Sequence, residues 1–183
     1  MTVVSRPVWH ARMKSRFSLL LLVLTPLACS TPEPDNPVVN LVPAEALTTV
    51  FPAAVDSFAQ VRDTTYLGYR ETETDTLALI TVARIYESAS GQRLAINLSS
   101  FDSRELFMAT YGDSAIRDTT AEMEAYQILL GRMVMVDDYH AAEAKAFDSV
   151  AVRAALDLID YERLASLTTQ PIQVDSMFLV RTD

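Results

Sequence analysis

The chain has 183 residues and a single cysteine, Cys29, so no disulfide can form within it. Glycine is almost as scarce. The four glycines, Gly68, Gly91, Gly112 and Gly131, stand apart from one another, which excludes a glycine-rich loop cradling phosphate. There is no G-x-S-x-G elbow for a nucleophilic serine. Only one of the two histidines, His140, lies beyond Cys29, so a Ser–His pair or a histidine-bearing metal site there must use it. The sole tryptophan is Trp9. No stretch reaches the roughly 20 consecutive apolar residues that a spanning helix needs.

Positive charge is scarce too, and unevenly placed. All 24 acids follow Cys29, whereas four of the 15 bases precede it, leaving 11 and a formal charge of −13 beyond that point. A surface of that sign argues against nucleic acid or anionic lipid as a direct partner. Ten of the 11 bases are arginine, and Lys145 is the one lysine.

What the chain does have begins with Arg6, Arg12, Lys14 and Arg16, a positive start without an acid. An almost wholly apolar run, Phe17 to Leu24, follows, and Thr25-Pro26 breaks it. The run is too short to span a bilayer but suits an export signal. Together with Leu27-Ala28-Cys29, this segment resembles the signal peptide of bacterial lipoproteins, over residues 1–29 only. The resemblance implies cleavage before Cys29 and a lipid on its thiol. Ala28 is the small residue expected at the cut, while Pro26 and Leu27 depart from the usual pattern. The competing reading is an ordinary secretory signal cut at the same place. The resemblance places the protein in the cell envelope, anchored in the membrane by lipid and facing the periplasm or the cell surface. Ser30 resembles the outer-membrane sorting pattern.

Ser30 to Pro37 carries three prolines in eight residues among polar neighbours, which favours an extended spacer. The expected organisation is a signal peptide over 1–28, an anchor and flexible linker over 29–40, and one domain over 41–183. The expected fold class is α+β, a single domain with an antiparallel sheet of hairpins and two or three short helices.

Pro43 to Val50 reads as a helix with Pro43 at its first position and Glu45 in its first turn. Ser57–Arg62 and Thr65–Arg70 read as two short strands around Asp63-Thr64, and Glu71–Asp75 as an acidic loop. Leu77–Ser88 and Arg93–Ser99 alternate as a hairpin turned by Ser90-Gly91-Gln92. Asp102-Ser-Arg-Glu105 resembles a capping box ahead of a helix ended by Gly112. Asp113–Thr120 reads as polar loop. Glu122–Leu130 and Met133–Tyr139 form a second hairpin around Gly131-Arg132, with Tyr126, Ile128 and Leu130 on one face. Residues 141–156 fit either a helix, through Phe147, Ala151, Ala154 and Leu158, or strands turned at Asp148-Ser149; strands extend the meander and are the reading adopted. Asp157 or Asp160 caps a helix ending near Leu167. Pro171 then breaks the pattern before a last strand, Ile172–Val180.

One polar cluster stands out, Asp137-Asp138-Tyr139-His140. Asp and His together suit a divalent ion, and an aspartate can orient a histidine as a base. The two aspartates point to opposite faces if the segment is a strand, and a solvated turn explains the cluster more simply. Asp56, Asp63, Glu71, Glu73 and Asp75 lack calcium-loop spacing. Met133 and Met135 suit either a lipid pocket or plain core. The sequence thus assigns no catalytic, cofactor-binding or metal-binding residue, and Cys29 is its one modification site. It points to a non-catalytic protein, not an enzyme, that binds a protein partner or serves a structural role. The alternative is a carrier or sensor of a small apolar ligand.

Stable anchoring takes more than one acyl chain, as lipoprotein processing supplies. Cys29→Ala is therefore expected to move the protein from the membrane to the soluble fraction, as read by fractionation and immunoblotting. Unchanged partition would remove the lipoprotein reading.

Overall fold

A computed structural model describes residues 38–71 and 76–173. Cys29, the export segment, the loop expected over 72–75 and the end of the last expected strand lie outside the described residues. Among the described residues, most regular structure is antiparallel sheet, with four short α-helices, an α+β arrangement. None of these helices is long and apolar enough to cross a membrane.

The expected first hairpin is the centre of the main sheet. β4 (Thr76–Ser88) pairs antiparallel with β5 (Arg93–Phe101) from Leu79↔Phe101 to Glu87↔Arg93. Gly91 closes the turn at φ +80°, a conformation glycine adopts freely, and its N–H donates to Ser88 O at 2.9 Å.

Outside β4 lies β3 (Phe58–Glu71), paired along its length. The two short strands expected here are one, and Asp63-Thr64 is not a turn. The carboxylate of Asp63 accepts two hydrogen bonds from Arg84 of β4, at 2.8 and 2.7 Å, so it joins the strands instead of breaking one. Arg84 also lies over the Phe51 ring, 4.6 Å from its centroid. The register slips between Gln60 and Arg62, a bulge at Val61. β2 (Ala54–Val55) covers only the first two residues of the outer edge of β3.

After β5 the chain crosses through α2 (Arg104–Ala109) and a 3-10 turn, Gly112–Ser114. It re-enters the sheet at the far edge as β6 (Ile116–Asp118) and returns through β7 (Ala125–Ile128), β8 (Gly131–Met135) and β9 (His140–Lys145). β9 pairs with β5, giving the order β2-β3-β4-β5-β9-β8-β7-β6. The loop expected over 113–120 thus contains a 3-10 turn and an edge strand. The cap of α2 is Ser103, whose hydroxyl accepts from Leu106 N; Asp102 instead accepts from Ala78 N at 2.9 Å. Pro43 likewise sits just before α1 (Ala44–Thr48), as its cap and not as its first residue.

The segment over 141–156 divides. Its start is strand β9, but Ser149–Asp157 is helix α3, against the strand reading. Asp148 accepts from Val150 N at 2.8 Å and starts the helix where a hairpin turn was expected. The inward face is Ala151, Val152, Ala155 and Leu156, while Phe147 and Leu158 point to solvent. α4 (Tyr161–Ala165) follows, capped by Asp160 as one of the two expected residues.

Strand periodicity sorts the core into two clusters. Ile80, Val82, Leu94, Ile96, Leu98, Ala142 and Ala144 face one way and pack with Leu47 of α1, Val152 and Leu156 of α3 and Leu164 of α4. Leu77, Phe101, Met133, Met135 and Ala141 face the other way and pack with Phe107 of α2. Met133 and Met135 are therefore core residues. A separate two-stranded sheet joins β1 (Val38–Leu41) to β10 (Gln170–Gln173), with Pro171 opposite Asn40. Residues 38–40, read from the sequence as the end of the linker, form the start of β1, and Pro171 lies inside β10.

Gly131 begins β8 where β9 comes unusually close. A Cβ there would stand 2.2 Å from Ala144 O. The expected connection at Gly131-Arg132 is thus one residue pair too late, and the turn is Leu129-Leu130. Gly131→Ala is expected to lower stability by about 3 kcal/mol, the upper range for forced overpacking. Gly91→Ala, with open space around it but a left-handed backbone, should cost about 1 kcal/mol. Denaturant titration of both variants checks the order.

Candidate functional site

The polar cluster of the sequence is the turn between β8 and β9. Asp137 Oδ1 accepts from Tyr139 N at 2.7 Å, and its two oxygens lie 2.9 and 2.8 Å from Nδ1 of His140. Because a carboxylate only accepts, Nδ1 is the donor. Asp138 turns away to Arg104, 3.3 Å from it. The two aspartates do not converge, and among the described residues no group of three His, Cys, Asp or Glu side chains is placed to hold a metal. His140 is buried, and its Nε2 has no hydrogen-bond partner among the described residues. The cluster is a solvated turn at its aspartates and a core position at its histidine.

Arg104 ties this turn to the sheet. It donates to Glu124, which also accepts from the Tyr126 hydroxyl. The Arg104 hydrogen bond holds the Glu124 carboxyl below its ordinary range, with Tyr126 adding to the effect. Asp63 is lowered likewise, first by its hydrogen bond from Arg84. Asp56, in the same acidic scatter, is exposed, with a backbone φ of 46°.

The opposite end of β9 is built differently. Glu143 is buried on an alanine-rich strand, accepts from Asn97 Nδ2 at 2.6 Å, and has Lys145 Nζ 2.6 Å from its other oxygen. Phe107 stacks on Phe101 with centroids 4.1 Å apart and meets Tyr111 edge-on at 5.6 Å. Burial, and then the charge of Glu143, pushes the Tyr111 hydroxyl above its ordinary range. Beside Tyr111 opens a cleft of ≈ 410 Å³, lined also by Leu129, Leu130, Phe147, Arg93 and Lys145.

Of its apolar lining, Phe147 is 94% exposed, Leu129 77% and Leu130 52%, whereas Ile128 is buried. Two further clefts, of ≈ 200 and ≈ 780 Å³, also border Phe147. Leu130 has φ 58° in the two-residue loop that joins Ile128 to Gly131. A left-handed backbone in a side chain of this kind costs roughly 1–2 kcal/mol, and Asn or Gly would suit the turn better. The tip thus keeps two leucines against its own turn chemistry.

The sequence reading set Leu130 on one strand face with Tyr126 and Ile128 and took the stretch around Phe147 as strand, and so missed this end. The available signal was Leu129-Leu130 directly before Gly131, apolar residues where a hairpin turn calls for polar ones. The uncovered edge of β3 is a second feature that could bind. The Val61 bulge and Arg62 blunt it.

Because the folded carboxyls of Glu124 and Asp63 lie below their unfolded values, their contribution is complete above the unfolded range, near 4. It is lost as pH falls through that range and below. Glu124→Gln removes part of the titration, so its melting temperature is expected to fall less than that of the unaltered chain between pH 5 and pH 3, as read by thermal scans.

No family model, curated protein or solved structure matches this chain.

Proposed function

We propose that the chain is a lipid-anchored, non-catalytic protein of the cell envelope that binds a protein partner through the end formed by Leu129, Leu130 and Phe147. The anchor is Cys29, on the resemblance of residues 1–29 to lipoprotein signals. The observation that carries partner binding is Phe147, an aromatic side chain 94% exposed beside two exposed leucines. Leaving such side chains in water forgoes roughly 2 kcal/mol each of burial that a partner could supply. The left-handed backbone of Leu130 supports the same reading, since strain retained in an exposed loop is a pointer to function. The clefts here are open, which suits a protein surface better than an enclosed small molecule. The non-catalytic part of the proposal rests on the sequence, which has no G-x-S-x-G elbow, no glycine-rich phosphate loop and one histidine beyond Cys29.

A photo-reactive benzophenone amino acid placed at 147 in the full chain tests this in intact cells. A discrete heavier adduct is expected on immunoblots after irradiation. The same group at Glu162, exposed on α4 away from this end, should give none. Adducts at both positions, or at neither, would defeat the proposal.

A further inference from the structure

The cleft beside Tyr111 carries information about the partner's chemistry. Its charged lining residues are Arg93 and Lys145, and among the described residues no acid lines it. In a chain with 24 acids against 11 bases beyond Cys29, two cations on one lining stand out, although each has an acid beside it. The two cations are not equivalent. Lys145 lies against buried Glu143 at 2.6 Å, so its charge balances an internal one. Arg93 is at the start of β5 with its side chain 75% exposed, and Glu87 engages only Nε, at 3.1 Å. Its two terminal nitrogens have no hydrogen-bond partner among the described residues. A guanidinium presents paired donors that match a carboxylate. Arg93 also lines the ≈ 780 Å³ cleft, which shares Phe147 with the first. Asp148, the acid in that second cleft, is committed to capping α3.

We infer that this end takes a partner segment in which an apolar side chain stands beside a carboxylate, the apolar group lying on Tyr111, Leu130 and Phe147 and the carboxylate on Arg93. The inference rests on the reading of this end as a partner surface. The apolar contact supplies most of the attraction, and the Arg93 pair sets orientation and excludes basic segments.

The test uses the full chain carrying the benzophenone group at 147, with Arg93 varied, in intact cells. Arg93→Gln is expected to lower adduct yield about fivefold, the order of one exposed charge pair. Arg93→Glu should lower it further, and Arg93→Lys should keep more than half. Arg93 is exposed, so these variants fold, and the total chain level on the same blot checks that. Leu130→Asn, which suits a left-handed backbone better than leucine, should keep the fold and still lower the yield. If the adduct persists unchanged in Arg93→Gln and Arg93→Glu, the inference is overturned while the partner surface stands. A yield that rises in Arg93→Glu would assign a basic segment instead. No adduct even with Arg93 in place removes the partner surface, and this inference with it.

Discussion

Strand β9 is buried on both faces, and the arrangement of the sheet follows from that constraint. A strand in that position must be thin where helices pack on it. Ala142 and Ala144 provide this, and α3 sets Ala151, Val152 and Ala155 against that face. The neighbouring strand must come close as well, which is why Gly131 stands where a methyl group would meet the Ala144 carbonyl. Alanine burial contributes little per residue, so the stability of this region depends on close packing more than on apolar area. β9 also joins the two halves of the sheet, one running from β2 to β5 and the other from β6 to β8.

The polar groups near the sheet are distributed as partners of one another. Asp63 and Arg84 bridge β3 and β4 beneath Phe51; Arg104 joins α2 to β7's approach and to the β8–β9 turn; Asp137 holds His140. Among the described residues, Arg84, Arg93, Arg104 and Arg132 each pair with a specific acid. Exposed acids such as Asp56 and Asp138 add to a negative surface field. Against that field, the Arg93 end of β5 differs by joining an exposed guanidinium to exposed apolar side chains.

That end conflicts with local rules in two ways. A hairpin tip holds leucines, one of them left-handed, and a phenylalanine follows a strand into water. The helix caps Asp148, Asp160 and Ser103 and the turn glycine Gly91 follow local rules. Two departures side by side, at the hairpin tip and at Phe147, are the pattern expected of a functional surface.

The sequence by itself determined the local elements whose signal lies within a few residues. The β4–β5 hairpin is legible because Leu94, Ile96 and Leu98 alternate and Gly91 marks the turn; α1 and the Asp160 cap are legible for similar reasons. It also settled what a single cysteine and four isolated glycines exclude. Tertiary structure decided everything that depends on a distant partner. Asp63 reads as a turn residue until Arg84, 21 positions away, takes its carboxylate. The stretch beyond His140 reads equally as helix or strand, because alanine suits a helix by propensity and β9 by its small size. Only the pairing of β9 with β5 and β8 makes the first half strand, while the Asp148 cap makes the second half helix. The exposed end of the sheet was hidden for the same reason. Apolar residues predict burial one position at a time, and whether Phe147 and Leu130 are covered depends on which strands and helices arrive beside them.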